Sequence, residues 1–150
     1  MKKNLFIKES AEQIINRAKE LQSDSEAAWG KMNVTEMLLH CNLCNEQIFE
    51  GGSFVKRTTV KQYLLRILAL YIAPKFKKGL HGDPRNETKG KIDTSQFEKQ
   101  KERFVEMIRH FPDHKQPLIL PHVAFGNIST QQWGIAAYKH MDHHLRQFGV

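Results

Sequence analysis

A chain of 150 residues has room for one ordinary domain and one core, and 40% hydrophobic with 26% charged residues excludes a disordered, collagen-like or membrane-spanning composition. Its 23 basic against 16 acidic side chains leave a formal charge of +7, which raises affinity for acidic partners through long-range fields. The basic residues are spread out apart from Lys75, Lys77 and Lys78, with no arginine-rich tract, so a solvated basic face is expected and a nucleic-acid partner is not.

Lys2 and Lys3 are followed only by Leu5, Phe6 and Ile7 before Lys8 and Glu9, too little apolar sequence for a signal peptide. Ser10 and Gln13 have the spacing of a capping box, and Ala11, Ile14, Ile15, Ala18 and Leu21 recur at helical spacing, which predicts a helix over 10–23. Asn33 and Glu36 open a second helix in the same way, carrying Val34, Met37, Leu38, Cys41, Ile48 and Phe49 up to Gly51. A third helical segment over 58–73 is apolar nearly all round in its second half, as for a helix covered on several sides, and stops at Pro74. Its longest apolar run, residues 67–73, falls far short of the ~20 residues that cross a bilayer, so no membrane association is expected.

Residues 74–92 show no periodicity and read as a long loop, either a cover over a pocket, with His81 and Arg85 available to an acidic substrate group, or a mobile connector. A fourth helix, with Asp93 or Thr94 as its cap, aligns Phe97, Phe104, Val105 and Ile108 and is expected to close before Pro112. After a stretch punctuated by Pro117 and Pro121, in which 118–120 could be locally extended, Ser129 and Gln132 cap a last helix running to about Phe148. The pattern predicts a single all-α domain over 1–150, a helical bundle.

Eight histidines are present, and their placement carries the chemistry. At about 100° per residue, Trp133, Ala136, Ala137, His140 and His144 share one stripe of the last helix, and the i, i+4 spacing lets two imidazoles grip one ion. His110 and His114 have the same spacing but straddle Pro112. His40 flanks the apolar stripe of the second helix, so a third imidazole can point inward. One divalent ion shared by His40, His140 and His144 satisfies three otherwise costly buried polar groups and leaves a coordination position open, the pattern of catalytic rather than structural zinc.

Cys44, four residues after His40, could close such a site as a sulfur ligand or simply be a small buried hydrophobe. Cys41 and Cys44 lie three apart on a helix without the strand context of a redox motif, and reduced thiols point to the cytoplasm. Glu36 and Glu46 are carboxylates within reach of the second helix's histidine, with surface salt bridges as the plainer reading. Asp142 falls on the face opposite the ligands.

The closing segment QWGIAAYKHMDHHLRQFGV, preceded by HVAFGNIS, resembles the C-terminal signature of a branch of the DinB-like superfamily, and WGKMNVTEMLLHCN resembles that superfamily's first ligand region. The resemblance implies a four-helix bundle with a long crossover between its second and third core helices, one additional helix, and a divalent metal on His40, His140 and His144. It also places His143 at an extra histidine before the last ligand, Arg146 and Gln147 at polar positions after it, and His122 before a Phe-Gly turn, where it would line the pocket. Characterised relatives include low-molecular-weight-thiol S-transferases and a thiol-dependent isomerase, and many are dimers. From this follow an expected zinc or nickel ion, a small-molecule substrate such as a thiol, and a homodimer formed through 63–71. Thiol transfer, hydrolysis and a non-catalytic metal-stabilised binding protein all remain open, since fold and metal transfer between relatives better than reaction does.

Overall fold

The computed structural model describes residues 2–51, 57–79 and 82–150, and among them the regular elements are all helical. Helix α1 spans Lys8–Glu20, starting and ending before the predicted 10–23. Its first carbonyl is that of Ile7, which accepts from the Ser10 and Ala11 N–H groups. The expected Ser10 cap does not form: Ser10 is buried inside the first turn, and its hydroxyl faces the Asn4 N–H at 3.4 Å instead. A side chain already inside the helix cannot serve the flanking position that a cap requires.

Helix α2, Val34–Glu50, carries the predicted capping box: the Asn33 side chain accepts from the Glu36 N–H at 2.9 Å and Glu36 accepts from the Asn33 N–H at 2.8 Å. It ends at Gly51, whose φ of +72° suits a residue without a Cβ. Helix α3, Val60–Ile67, opens on a Thr59–Gln62 capping box and continues through one π turn, Leu68–Ile72, before Pro74. The expectation that this segment is covered on several sides is not met. Leu70 alone is fully buried there, while Val60, Tyr63, Leu64, Leu65, Leu68, Tyr71 and Ile72 are exposed. The π turn rests on the last helix, and Lys139 reaches its end carbonyls at Ala69 and, at 2.5 Å, Ala73, while Lys2 bonds Leu70 and Tyr71.

A single 3-10 turn at Thr94–Gln96, capped by Asp93, leads into α4, Phe97–Asp113. This helix does not close before Pro112 as expected but runs through it. Proline removes one N–H so near the C-terminus that a single bond is lost, and Phe111, fully buried, holds the turn in the core. Helix α5, Thr130–Gln147, begins on the predicted Ser129–Gln132 box. Residues 118–120 are not helical, and the nearest approach to a strand among the described residues is an isolated bridge between His122 and Gly126.

Helices α1 and α2 each lie against both α4 and α5, so these four enclose the core and α3 stays outside. The centre is filled by Ile14 and Ile15 of α1, Met37, Leu38 and Cys41 of α2, Phe104, Ile108 and Phe111 of α4, and Met141 and Leu145 of α5, all shielded from solvent. Buried and half-buried polar groups fix the register. Asn42 donates to the backbone and side-chain oxygens of Gln100, both at 3.0 Å, joining α2 to α4, and Arg17 pairs with Asp142 at 2.8 Å, joining α1 to α5. The N-terminal residues close over α5, where the Leu5 N–H reaches the Gly134 carbonyl and the Asn4 amide reaches that of Gln131. Gly134 is required there, because a Cβ would stand 1.9 Å from Asn4 Oδ1.

Candidate metal centre

The geometry of α2 and α5 brings three imidazoles to one point between them. His140 Nε2 lies 3.1 Å from His40 Nε2 and 3.0 Å from His144 Nε2, and Cys44 Sγ lies 3.8 Å from His40 Nε2. Helical spacing places His144 one turn beyond His140 and Cys44 one turn beyond His40, so each helix presents two adjacent donors. The ligand atoms of His40, Cys44 and His140 all lie within 4.8 Å of one another, a group that could hold a metal ion.

The outer ring nitrogens decide what the inner ones can do. His40 Nδ1 is 2.7 Å from the Asn86 carbonyl, which can only accept, so Nδ1 carries the proton and Nε2 a lone pair. His144 Nδ1 is 2.8 Å from Gln147 Oε1. The Gln147 amide is itself oriented, because its Nε2 donates to the Trp29 carbonyl at 2.6 Å, so His144 Nε2 is also a lone pair. A neutral His140 protonated on Nε2 can donate to only one of these two neighbours and leaves the other lone pair without a proton, and protonated on Nδ1 it sets its own lone pair against both. A cation removes that conflict. Donor chemistry and outer hydrogen bonds are those by which metal-binding imidazoles are usually held.

Burial keeps the cluster uncharged. Desolvation holds His40 below the ordinary imidazole range against the opposing Asn86 bond, and lowers His144 to about 3. His140 is pushed well below its usual value, by burial first and then by its histidine neighbours. Burial moves the Cys44 thiol the other way, up to about 12, so without a cation it is an S–H donor facing His40 Nε2.

The other predicted residues take varied places. Gln147 orients His144, as above. His143 is half-buried, with its ring edge-on to Trp29 and to His144. His122 stacks on Phe125 at 4.1 Å and accepts from the Ala124 N–H through Nδ1, so its Nε2 carries the proton. Burial lowers it to about 4, and it is close enough to His140 to influence its protonation.

Glu36 is not in a surface salt bridge but buried, with one oxygen on the Asn33 N–H and the other on the Gly90 N–H at 2.7 Å. Its carboxylate fastens the crossover to α2. Glu46 does form a salt bridge, with Arg103, and Asp142 is held by Arg17 and Arg146 and acts electrostatically on its neighbour His143. Arg85 is exposed and folds back on Asp83, while His81 lies outside the described residues. Cys41 is wholly buried against Met37.

A model of the family described as "Protein of unknown function (DUF1569)" matches residues 1–149. The chain belongs to the DUF1569 family. No curated protein and no solved structure matches it.

The residue this DUF1569 chain uses and sequence reasoning missed is Asn86. It sits in a 3-10 turn, Pro84–Asn86, whose start is fixed by Asp83 accepting from the Arg85 N–H. The turn delivers the Asn86 carbonyl to His40 and its side chain to Gln47 at 2.8 Å, while Thr88 donates to the Glu36 carbonyl at 2.6 Å. The later half of the crossover is thus fastened to α2. Asp-Pro-Arg-Asn is a recognisable turn signal, but where its carbonyl lands is a tertiary fact.

Proposed function

We propose that His40, His140 and His144 hold one divalent ion, zinc or nickel, with a position left for a small molecule, and that the protein is a metal-dependent transferase or hydrolase acting on a thiol or on water. The observation that carries this is the pair of outer hydrogen bonds, Asn86 carbonyl to His40 and Gln147 to His144, which fixes two Nε2 lone pairs toward the same point as His140. The resemblance of the His40 and His140–His144 segments to the DinB-like superfamily supports the same ligand set. The ion would act as a Lewis acid that lowers the pKa of a coordinated thiol or water, to ~7 for water on zinc.

The protein's own residues supply position and exclusion. Asn86 and Gln147 keep two imidazoles in one tautomer, and burial keeps them unprotonated and ready to coordinate. His122, neutral with its proton on Nε2 and stacked on Phe125, lies close enough to His140 to influence it. In thiol transfer the sulfur gives up its proton and bonds the electrophilic carbon, while the leaving group departs with its electron pair and takes a proton. Hydrolysis follows the same balance with water in place of the thiol.

One observation favours a second reading. Cys44 Sγ is near enough to His40 to be a fourth ligand, which would close the site and make the metal structural in a binding protein. Elemental mass spectrometry of untagged protein, beside His140→Ala/His144→Ala and Cys44→Ser variants, tests both. About one ion per chain is expected, lost in the double histidine variant and retained in Cys44→Ser. Loss in Cys44→Ser, with loss of the sulfur-to-metal absorption of the cobalt-substituted parent, selects the closed site. No metal after reconstitution of a folded parent ends both readings.

A further inference from the structure

Seven of the large apolar side chains on α3 and its π turn face solvent, among them Val60 at 77%, Leu64 at 61% and Ile72 at 67% exposure. With Tyr63, Leu65, Leu68 and Tyr71 they follow the helical spacing of one continuous face. Val123, itself exposed, extends it, because the turn that carries it is bonded to α3 through Gln62. Contiguous apolar surface of this kind marks an interaction site rather than ordinary surface composition.

The charge around the face indicates what covers it. Residues 57–79 carry six basic side chains and no acidic one. Arg57 precedes the helix, Lys61 lies within the exposed face, and Lys75 and Lys77 follow the π turn, all four exposed. A second copy seated on this face through a two-fold axis would set the same basic side chains of both chains together with no acidic partner among them. An anionic lipid surface takes both components: the apolar side chains enter the boundary between headgroups and acyl chains, and the lysines reach the headgroup charge along their own apolar stems. Tyr63 and Tyr71 suit the same boundary, where amphipathic rings concentrate.

We propose that α3 and its π turn form a docking face for an anionic bilayer surface, on which the protein lies without crossing. No helix among the described residues is long and apolar enough to cross a membrane, and the expectation of no membrane association rested on that criterion alone. The back of the segment is already anchored. Lys139 and Lys2 bond its last carbonyls, so the apolar face is presented on a fixed support.

Co-sedimentation of the full chain with phosphatidylcholine vesicles, with and without phosphatidylglycerol, tests the proposal across a salt series. Binding is expected only with phosphatidylglycerol, weakening as salt rises. At about fivefold per basic side chain, Lys61→Gln/Lys75→Gln/Lys77→Gln should lower partitioning about a hundredfold, and Leu64→Glu/Leu68→Glu should abolish it. All these positions are exposed, so unchanged helical circular dichroism and metal content are expected in both variants. No binding by the parent, or equal binding to both vesicles, overturns the proposal. So does a dimer in sedimentation velocity that Leu64→Glu/Leu68→Glu splits, which would assign the face to a second copy.

Discussion

Asn86 and Gln147 orient their imidazoles through different kinds of atom, and their variants should separate accordingly. Gln147→Leu removes the acceptor that fixes His144 and is expected to weaken metal binding about 10- to 100-fold, read by competition with a chromophoric chelator. Asn86→Ala keeps the carbonyl that fixes His40 and loses the side-chain bonds to Gln47 and to Cys44, neither of which orients an imidazole, so its metal affinity should stay close to the parent's. Gly30→Ala should resemble Gln147→Leu, because Gly30 has φ +86° and an added Cβ would stand 2.5 Å from Gln147 Nε2. The pH dependence of the metal-free protein follows from burial. His144 and His122 take up protons in the folded state only near pH 3 and 4, whereas an unfolded histidine does so at about 6.5. The unfolded chain therefore binds more protons below that pH. Stability is fully present above it and is lost as pH falls toward those lower values, which melting curves at stepped pH will show.

At the scale of the element, the contrast between two caps is a direct test. Asn33→Ala should cost about 1 kcal/mol in denaturant unfolding, and Ser129→Ala about the same, since each cap bonds a backbone N–H that otherwise lacks a partner. Ser10→Ala should cost little, because Ser10 caps nothing. Capping boxes at Asn33 and Ser129 were legible because donor, acceptor and spacing all lie within four residues. Ser10 had the same spacing and misled, because Ile7 and Asn4 had already set the helix start from outside that window. His40, His140 and His144 were legible as inward-facing by helical period alone. The Asn86 carbonyl was not, since a backbone atom has no sequence identity and its position depends on how the crossover is laid over α2. Nor was the exposure of α3, because an apolar pattern records that a face wants cover and is silent on whether this chain provides it.

Across the whole molecule, the proposed ion would link α2 directly to α5 and, through the Asn86 carbonyl, to the crossover. Loading should raise the melting temperature in proportion to the logarithm of metal concentration above the dissociation constant. Cleavage by a protease within residues 82–92 should slow at the same time, and equal cleavage rates with and without metal would count against the coupling.

The N-terminal residues have their own timing. Lys2 is bonded to carbonyls 68 and 69 residues away, Asn4 to Gln131, and Leu5 to Gly134 in the last helix. Contacts of such separation close late, because a long stretch of chain must be ordered before they can form. On the ribosome α1 can form its turns early, but the strap ahead of it has no seat until α5 has emerged. The segment ahead of α1 is fastened only after α5 is in place, and until then the face of α5 around Gly134 stays uncovered.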